Sequence, residues 1–360
     1  MSEAKPGFWK RMFGNKAEGG AADSGGEVSL ARYKRERQLG RGSMGEVWLA
    51  TDTQTGQQIA LKLLALQREF SPEDLADVRQ RFMREAHAAG QLQHPDILQV
   101  LEAGDNGADA WIAMEYVRGH DLSHYSRPGH LLPVAEALGL GQRLARALAY
   151  AHRQGVVHRD IKPANVMYDQ DSGQLKVMDF GIARVSDGSR TRTGLVLGTP
   201  SFMSPEQLAG LKVDGRSDLF SLGVMLYQLL TGHLPHQSES MARLMQKIAL
   251  EPPPDVRHFR PALPEALALL LALALEKRPE LRYGDGDQMA QDIEAVLAAG
   301  LPPALLSDSV AAATPAAASN SPKDDAVGKT VDPFAQTQRV DLSPGEAGQN
   351  RAPPPPPSQK

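Results

Sequence analysis

The chain has 360 residues, 41% of them hydrophobic and 23% charged, the composition of a water-soluble globular protein with room for two domains or one large two-lobed one. A formal net charge of −4 gives no electrostatic case for nucleic acid binding. The absence of cysteine excludes disulfides, thiol catalysis and thiolate metal sites, and it fits a reducing compartment.

Residues 1–30 are rich in Gly, Ala and charge and are expected to be disordered. They show no secretory signal. Within them, "GFWKRMFG" has Phe8, Trp9, Met12 and Phe13 beside Lys10 and Arg11, a short amphipathic turn that would suit a membrane surface, although so short a helix is marginal in water. From about Arg32 the pattern tightens. "YKRERQLGRGSMGEVWLATD" and "QQIALKLLAL" read as strands, with Ile59, Leu61 and Leu63 alternating with Ala60, Lys62 and Leu64. Ser71, Pro72 and Asp74 then predict a helix start, and Leu75, Val78, Phe82, Ala86 and Ala89 follow at helical spacing. "AWIAMEYV" reads as one more strand, after which helices dominate: "PVAEALGLGQRLARALAYAHRQG", "SDLFSLGVMLYQLLTG" and an Ala/Leu stretch near 263–276. The longest apolar run, Ala266 to Leu275, is about half of what a membrane-spanning helix needs and is expected to be a buried core helix. Strands first and helices second imply an α+β chain with a small strand-rich lobe and a larger helical one. Residues 300–360 turn to Ala, Ser, Pro and Asp and read as a disordered tail.

"VVHRDIKPANVMYD" brings Asp160, Lys162 and Asn165 together within six residues. Phosphoryl transfer needs such a set: a carboxylate to take a hydroxyl proton, a cation against phosphate charge and a hard oxygen ligand for magnesium. It also demands partners elsewhere. "VMDFG" offers Asp179 as a second metal ligand, and Gly40, Gly42 and Gly45 form a G-x-G-x-x-G phosphate cradle. A strand follows that cradle rather than the helix of a dinucleotide-binding fold, so it reads as a strand–turn–strand lid. Lys62 on the next strand would anchor the phosphates. Glu85 falls on the apolar stripe of its helix, where an unpaired carboxylate is costly, which makes Lys62 its natural partner.

Over residues 31–295 the chain resembles the eukaryotic-type (Hanks-type) serine/threonine protein kinases, with "HRDIKPANV" and "GTPSFMSPEQ" most similar to bacterial members. The resemblance implies an N-lobe over about 31–117 and a C-lobe over about 118–295. It implies ATP bound by Leu39, Gly40, Arg41, Gly42, Ser43, Met44, Gly45, Glu46, Val47, Ala60 and Lys62, with Met114 as gatekeeper and Glu115, Tyr116 and Val117 as the hinge. Magnesium or manganese would sit on Asn165 and Asp179, with Asp160, Lys162, Asn165, Lys62 and Glu85 as the catalytic set. Thr199 would contact that set. Glu206, in Ser-Pro-Glu rather than the usual Ala-Pro-Glu, would pair with Arg282, and Asp218 would brace the catalytic loop. Arg159 would meet a phosphate on the activation loop, where Thr191 and Thr193 are the expected autophosphorylation sites.

Protein substrates bearing Ser or Thr are the implied partners, with a transient dimer for trans-autophosphorylation, and with neither nucleic acid nor a transmembrane segment. Thr330 and Thr337 in "KTVDPFAQTQRVD" suggest a phosphothreonine-dependent FHA-type partner for the tail. A cytoplasmic location is expected, with the first segment as the one candidate for surface association. The rival reading is a pseudokinase scaffold, against which stands the intact set of Lys62, Asp160, Asn165 and Asp179.

Overall fold

The computed structural model describes residues 30–42, 45–71, 73–105, 109–180 and 200–306. Ser43, Met44, Gly181, Thr191, Thr193 and Thr199 lie outside these residues, as do residues 1–29 and 307–360, while the tail expected to be disordered from 300 includes a helical turn over Pro303–Leu306.

The alternation read in the third strand builds the small lobe. Strands β1 (Tyr33–Gly42), β2 (Gly45–Asp52) and β3 (Gln58–Leu64) form a meander. With β4 (Val100–Asp105) and β5 (Ala110–Glu115) they make a five-stranded antiparallel sheet in the order β1-β2-β3-β5-β4. Ile59 and Leu61 face one side and join Tyr33, Ala50, Trp111 and Ala113. Ala60 and Lys62 therefore face the other, because successive strand side chains point to opposite faces. At the lobe's outer end, the Arg32 guanidinium meets the buried carboxylates of Asp52 and Glu102. Helix α1 (Leu66–Glu69) is a single turn, and α2 (Leu75–Gly90) buries Val78, Phe82, Ala86 and Ala89. The expected start at Ser71 is displaced. The Ser71 hydroxyl donates to the Asp74 carboxylate at 2.8 Å instead of capping an amide, and the helix begins four residues later.

The large lobe is built around α3 (Val134–Arg153). Beyond it lie α4 (Pro205–Leu208), α5 (Gly215–Thr231), α6 (Met241–Leu250), α7 (Glu265–Ala274), α8 (Gly286–Ala298) and α9 (Pro303–Leu306). Helix α5 is buried nearly all round and ends at Gly232, whose left-handed φ of 76° caps it. The Ala/Leu helix is only half core. Leu267, Leu270, Leu271 and Ala274 are buried, whereas Leu269 is 63% exposed, because a helix at the lobe's surface turns one stripe outward whatever its composition. A three-stranded sheet of β6 (His120–Asp121), β7 (Val166–Asp169) and β8 (Gln174–Val177) flanks the loop residues of interest.

Candidate active site

The residues from Val156 to Asn165 link α3 to β7 and are held by a carboxylate from elsewhere. Asp218, fully buried in the first turn of α5, accepts the backbone N–H groups of His158 at 2.8 Å and Arg159 at 2.6 Å. His152 Nε2 lies 2.7 Å from the same carboxylate. Arg159 is thereby kept at φ 68°, a left-handed conformation that typically costs a non-glycine residue about 1–3 kcal/mol and persists only where its surroundings enforce it. Asp179 has the same feature at φ 59°.

His158 is buried, and its ring is fully used. Nδ1 accepts the Asp160 N–H at 3.2 Å, so Nε2 carries the proton that goes to the Met178 carbonyl at 2.7 Å. It packs edge-on against Phe180 and serves as a strut, not a base. The Asp160 carboxylate then faces Lys162 Nζ at 2.8 Å and Asn165 Nδ2 at 2.9 Å. A second bond from Asn165 Nδ2 to the Asp160 carbonyl, 2.7 Å, orients the amide and leaves its carbonyl oxygen as the accepting side. The Met178 N–H donates to the Asn165 backbone carbonyl at 2.8 Å, and Val166 pairs with Val177, so Asn165 and Asp179 lie at adjoining ends of β7 and β8.

Lys62 Nζ reaches the Asp179 carboxylate at 2.7 Å. This corrects the expected partner. Among the described residues, the ion pair of Lys62 is with Asp179, while Glu85 remains half-buried on α2. Both carboxylates suit an ammonium, and the choice between them depends on how α2 and the segment after β8 are set. Burial works against the ionised form of Asp179, but Lys62, with His158 and Lys162, outweighs it and holds the carboxyl below the usual range.

An apolar cluster adjoins these groups. Leu39, Val47 and Ala60 from the sheet, Met114 and Val117 from the end of β5 and beyond, and Leu98, Met167 and Met178 from below form one cluster. The first five are in the predicted set. Met167 had a signal, since it stands two residues past Asn165 on the strand that follows, and Met178 adjoins Asp179. Leu98 had none. Glu115 is occupied by structure: its carboxylate accepts the Gln99 N–H at 2.7 Å and pairs with the mostly buried Lys176 at 2.7 Å. The roof is the β1–β2 hairpin. Gly45 has φ 155°, and a Cβ there would stand 1.8 Å from the Leu63 carbonyl oxygen, so only glycine allows this approach. Arg41 and Glu46 pair loosely at 3.7 Å on the hairpin's exposed side.

Below the site, Glu206 of α4 and Arg282 form a buried two-pronged pair at 2.7 and 2.8 Å. Burial alone would raise the Glu206 carboxyl, but the Arg282 guanidinium and the Ser217 hydroxyl hold it below the usual range.

The Asp160, Lys162 and Asn165 cluster beside the Lys62–Asp179 pair can be set beside known proteins. The family profile described as "Protein kinase domain" matches residues 33–294. The chain belongs to the protein kinase domain family. This kinase domain is 42% identical over 273 residues to a probable serine/threonine-protein kinase of Streptomyces coelicolor, covering 74% of this chain and 40% of that protein. It is 35% identical to the serine/threonine-protein kinase PknA of Mycobacterium tuberculosis, over 77% of this chain and 64% of PknA. The chain thus spans less than two thirds of the length of these relatives. Among solved structures, the kinase domain of Mycobacterium tuberculosis PknI matches with a TM-score of 0.59 and 34% identity, over 77% of this chain and 99% of that one. The kinase domain contains no helix, among the described residues, long and apolar enough to cross a membrane.

Proposed function

We propose that this chain transfers the γ-phosphoryl group of ATP to serine and threonine hydroxyls of protein substrates. The observation that carries the reading is the convergence of Lys162 and Asn165 on the Asp160 carboxylate, at 2.8 and 2.9 Å, beside the Lys62–Asp179 pair. Asp160 orients the acceptor hydroxyl and takes its proton. Lys162 offsets charge on the moving group, and the apolar cluster from Leu39 to Met178 takes the adenine. Asp179 and the Asn165 side-chain amide oxygen are hard oxygen donors, which fit magnesium or manganese. When bound, that metal neutralises charge on the phosphate oxygens. In working protein kinases the strand lysine pairs with the helix glutamate. The Lys62–Asp179 contact therefore reads as a resting arrangement, and exchange of Asp179 for Glu85 frees the metal ligand. Most of the rate then comes from positioning and electrostatics.

Thr191 and Thr193 are the proposed autophosphorylation sites, modified in trans within a transient dimer and met by Arg159. Thr199 is the proposed substrate contact. A cytoplasmic location, surface association through "GFWKRMFG" and an FHA-type partner for the phosphorylated tail belong to the same reading.

The test compares label transferred from ATP with magnesium by the purified chain and by Asp160→Asn, followed by mapping of the sites. Label on Thr191 or Thr193 in the parent and none in the variant supports the reading. ATP binding without transfer in the parent would replace it with the scaffold alternative.

A further inference from the structure

The end of the activation segment touches the catalytic loop through a side chain that none of the family motifs above assigns. Gln207 is the third residue of α4, and it makes a reciprocal cap with Ser204. The Ser204 hydroxyl accepts the Gln207 N–H at 3.3 Å, and Gln207 Oε1 accepts the Ser204 N–H at 2.9 Å. With its oxygen committed to Ser204, the amide must present its nitrogen the other way. Nε2 donates to the Arg159 carbonyl at 2.7 Å.

That carbonyl belongs to the peptide that enters Asp160. The N–H of the same peptide is held by His158 Nδ1 at 3.2 Å, and the preceding N–H, of Arg159, by Asp218 at 2.6 Å. Arg159 is the left-handed residue of this loop. Of the three bonds that hold its peptide units, two come from the loop and from α5. The third comes from the segment that ends in Ser-Pro-Glu. Ser204 is fully buried and Gln207 half-buried, so this link is part of the packed interior rather than a surface contact.

We propose that Gln207 is a positioning residue for Asp160, through which the anchored end of the activation segment sets the peptide plane that aims the Asp160 carboxylate. The inference rests on the kinase reading for its consequence in rate, but not for its geometry. It gives the serine of Ser-Pro-Glu a task beyond replacing alanine: Ser204 locks the amide that holds the catalytic loop.

Gln207→Glu separates this role from a general structural one. Glutamate still accepts the Ser204 N–H, so the cap survives, but it sets an oxygen against the Arg159 carbonyl where a donor stood. The expected result is a fall in kcat of about 10- to 100-fold, the scale of a small misplacement of a reacting group, with the KM for ATP held and the Tm lowered only modestly by the repelled carbonyl. Amide hydrogen exchange over 156–161 should quicken, while exchange over α5 stays that of the parent. An unchanged kcat with unchanged exchange overturns the proposal. So does a loss of kcat accompanied by a higher KM for ATP and by faster exchange over α5. If the parent itself transfers no phosphate, the assigned activity is what fails, and exchange over 156–161 in the variant still decides whether Gln207 holds the loop.

Discussion

Glu206→Gln keeps the shape of the buried carboxylate and removes its charge. Arg282 loses its counter-ion while its side chain stays wholly buried. Breaking a buried pair from one side costs about 3–5 kcal/mol, because the remaining charge has neither water nor a partner. A domain of this size loses about 2–4 °C of Tm per kcal/mol, so the drop should be about 6–20 °C. Arg282→Met should be worse. The guanidinium also donates to the carbonyls of Glu276, Lys277 and Arg216, and all three acceptors would be abandoned with the Glu206 carboxylate. Thermal unfolding followed by circular dichroism, at one pH and several scan rates, checks the size and the order. High salt should not narrow the gap, since a buried pair is little screened. A Glu206→Gln protein that melts with the parent, or an Arg282→Met protein that is the milder of the two, would refute the reasoning.

Three further outcomes follow from the geometry. Asp218→Asn replaces one of the oxygens that accept the His158 and Arg159 N–H groups with a donor, so kcat should fall and stability should drop by about 1.5–3 kcal/mol or more, read in steady-state kinetics and denaturant melts. Gly45→Ala forces a Cβ against the Leu63 carbonyl, and the strain of about 1–3 kcal/mol should show as a higher KM for ATP and a lower Tm. His236 is buried near Lys277 and Lys247, and burial first, then those cations, bring its pKa down to about 4. Between pH 6.5 and 4 the unfolded chain takes up a proton there that the folded protein refuses. Stability therefore falls on acidification through that window, by up to roughly 3 kcal/mol. His236→Gln should flatten the Tm–pH curve over this range, and superimposable curves would sink the assignment.

The site was legible where its residues are close in sequence or sit on a strong periodic pattern. Asp160, Lys162 and Asn165 lie within six positions, and strand alternation alone put Lys62 on the same face as Ala60. The pairing of β6, β7 and β8 into a small sheet escaped because "HD", "VMYD" and "QLKV" are too short to show a period. Leu98 escaped because its place in the apolar cluster depends on how the two lobes meet. The partner of Lys62 was misjudged for a related reason. The apolar stripe of α2 singled out Glu85 and left Asp179 to the metal, but which carboxylate Lys62 meets follows from the setting of whole elements. Gln207 escaped because its role depends on a carbonyl 48 residues away.

The lack of cysteine does not make this chain indifferent to oxidants. Three thioethers, those of Met114, Met167 and Met178, belong to the apolar cluster proposed to take the adenine ring. Their softness lets the walls close on a flat aromatic guest. The same sulfurs become polar sulfoxides when oxidised, and a wall that had been apolar would then carry a dipole. Loss of nucleotide affinity after peroxide treatment, restored by methionine sulfoxide reductases, is the signature to seek in a protein with no thiol to consume the oxidant first.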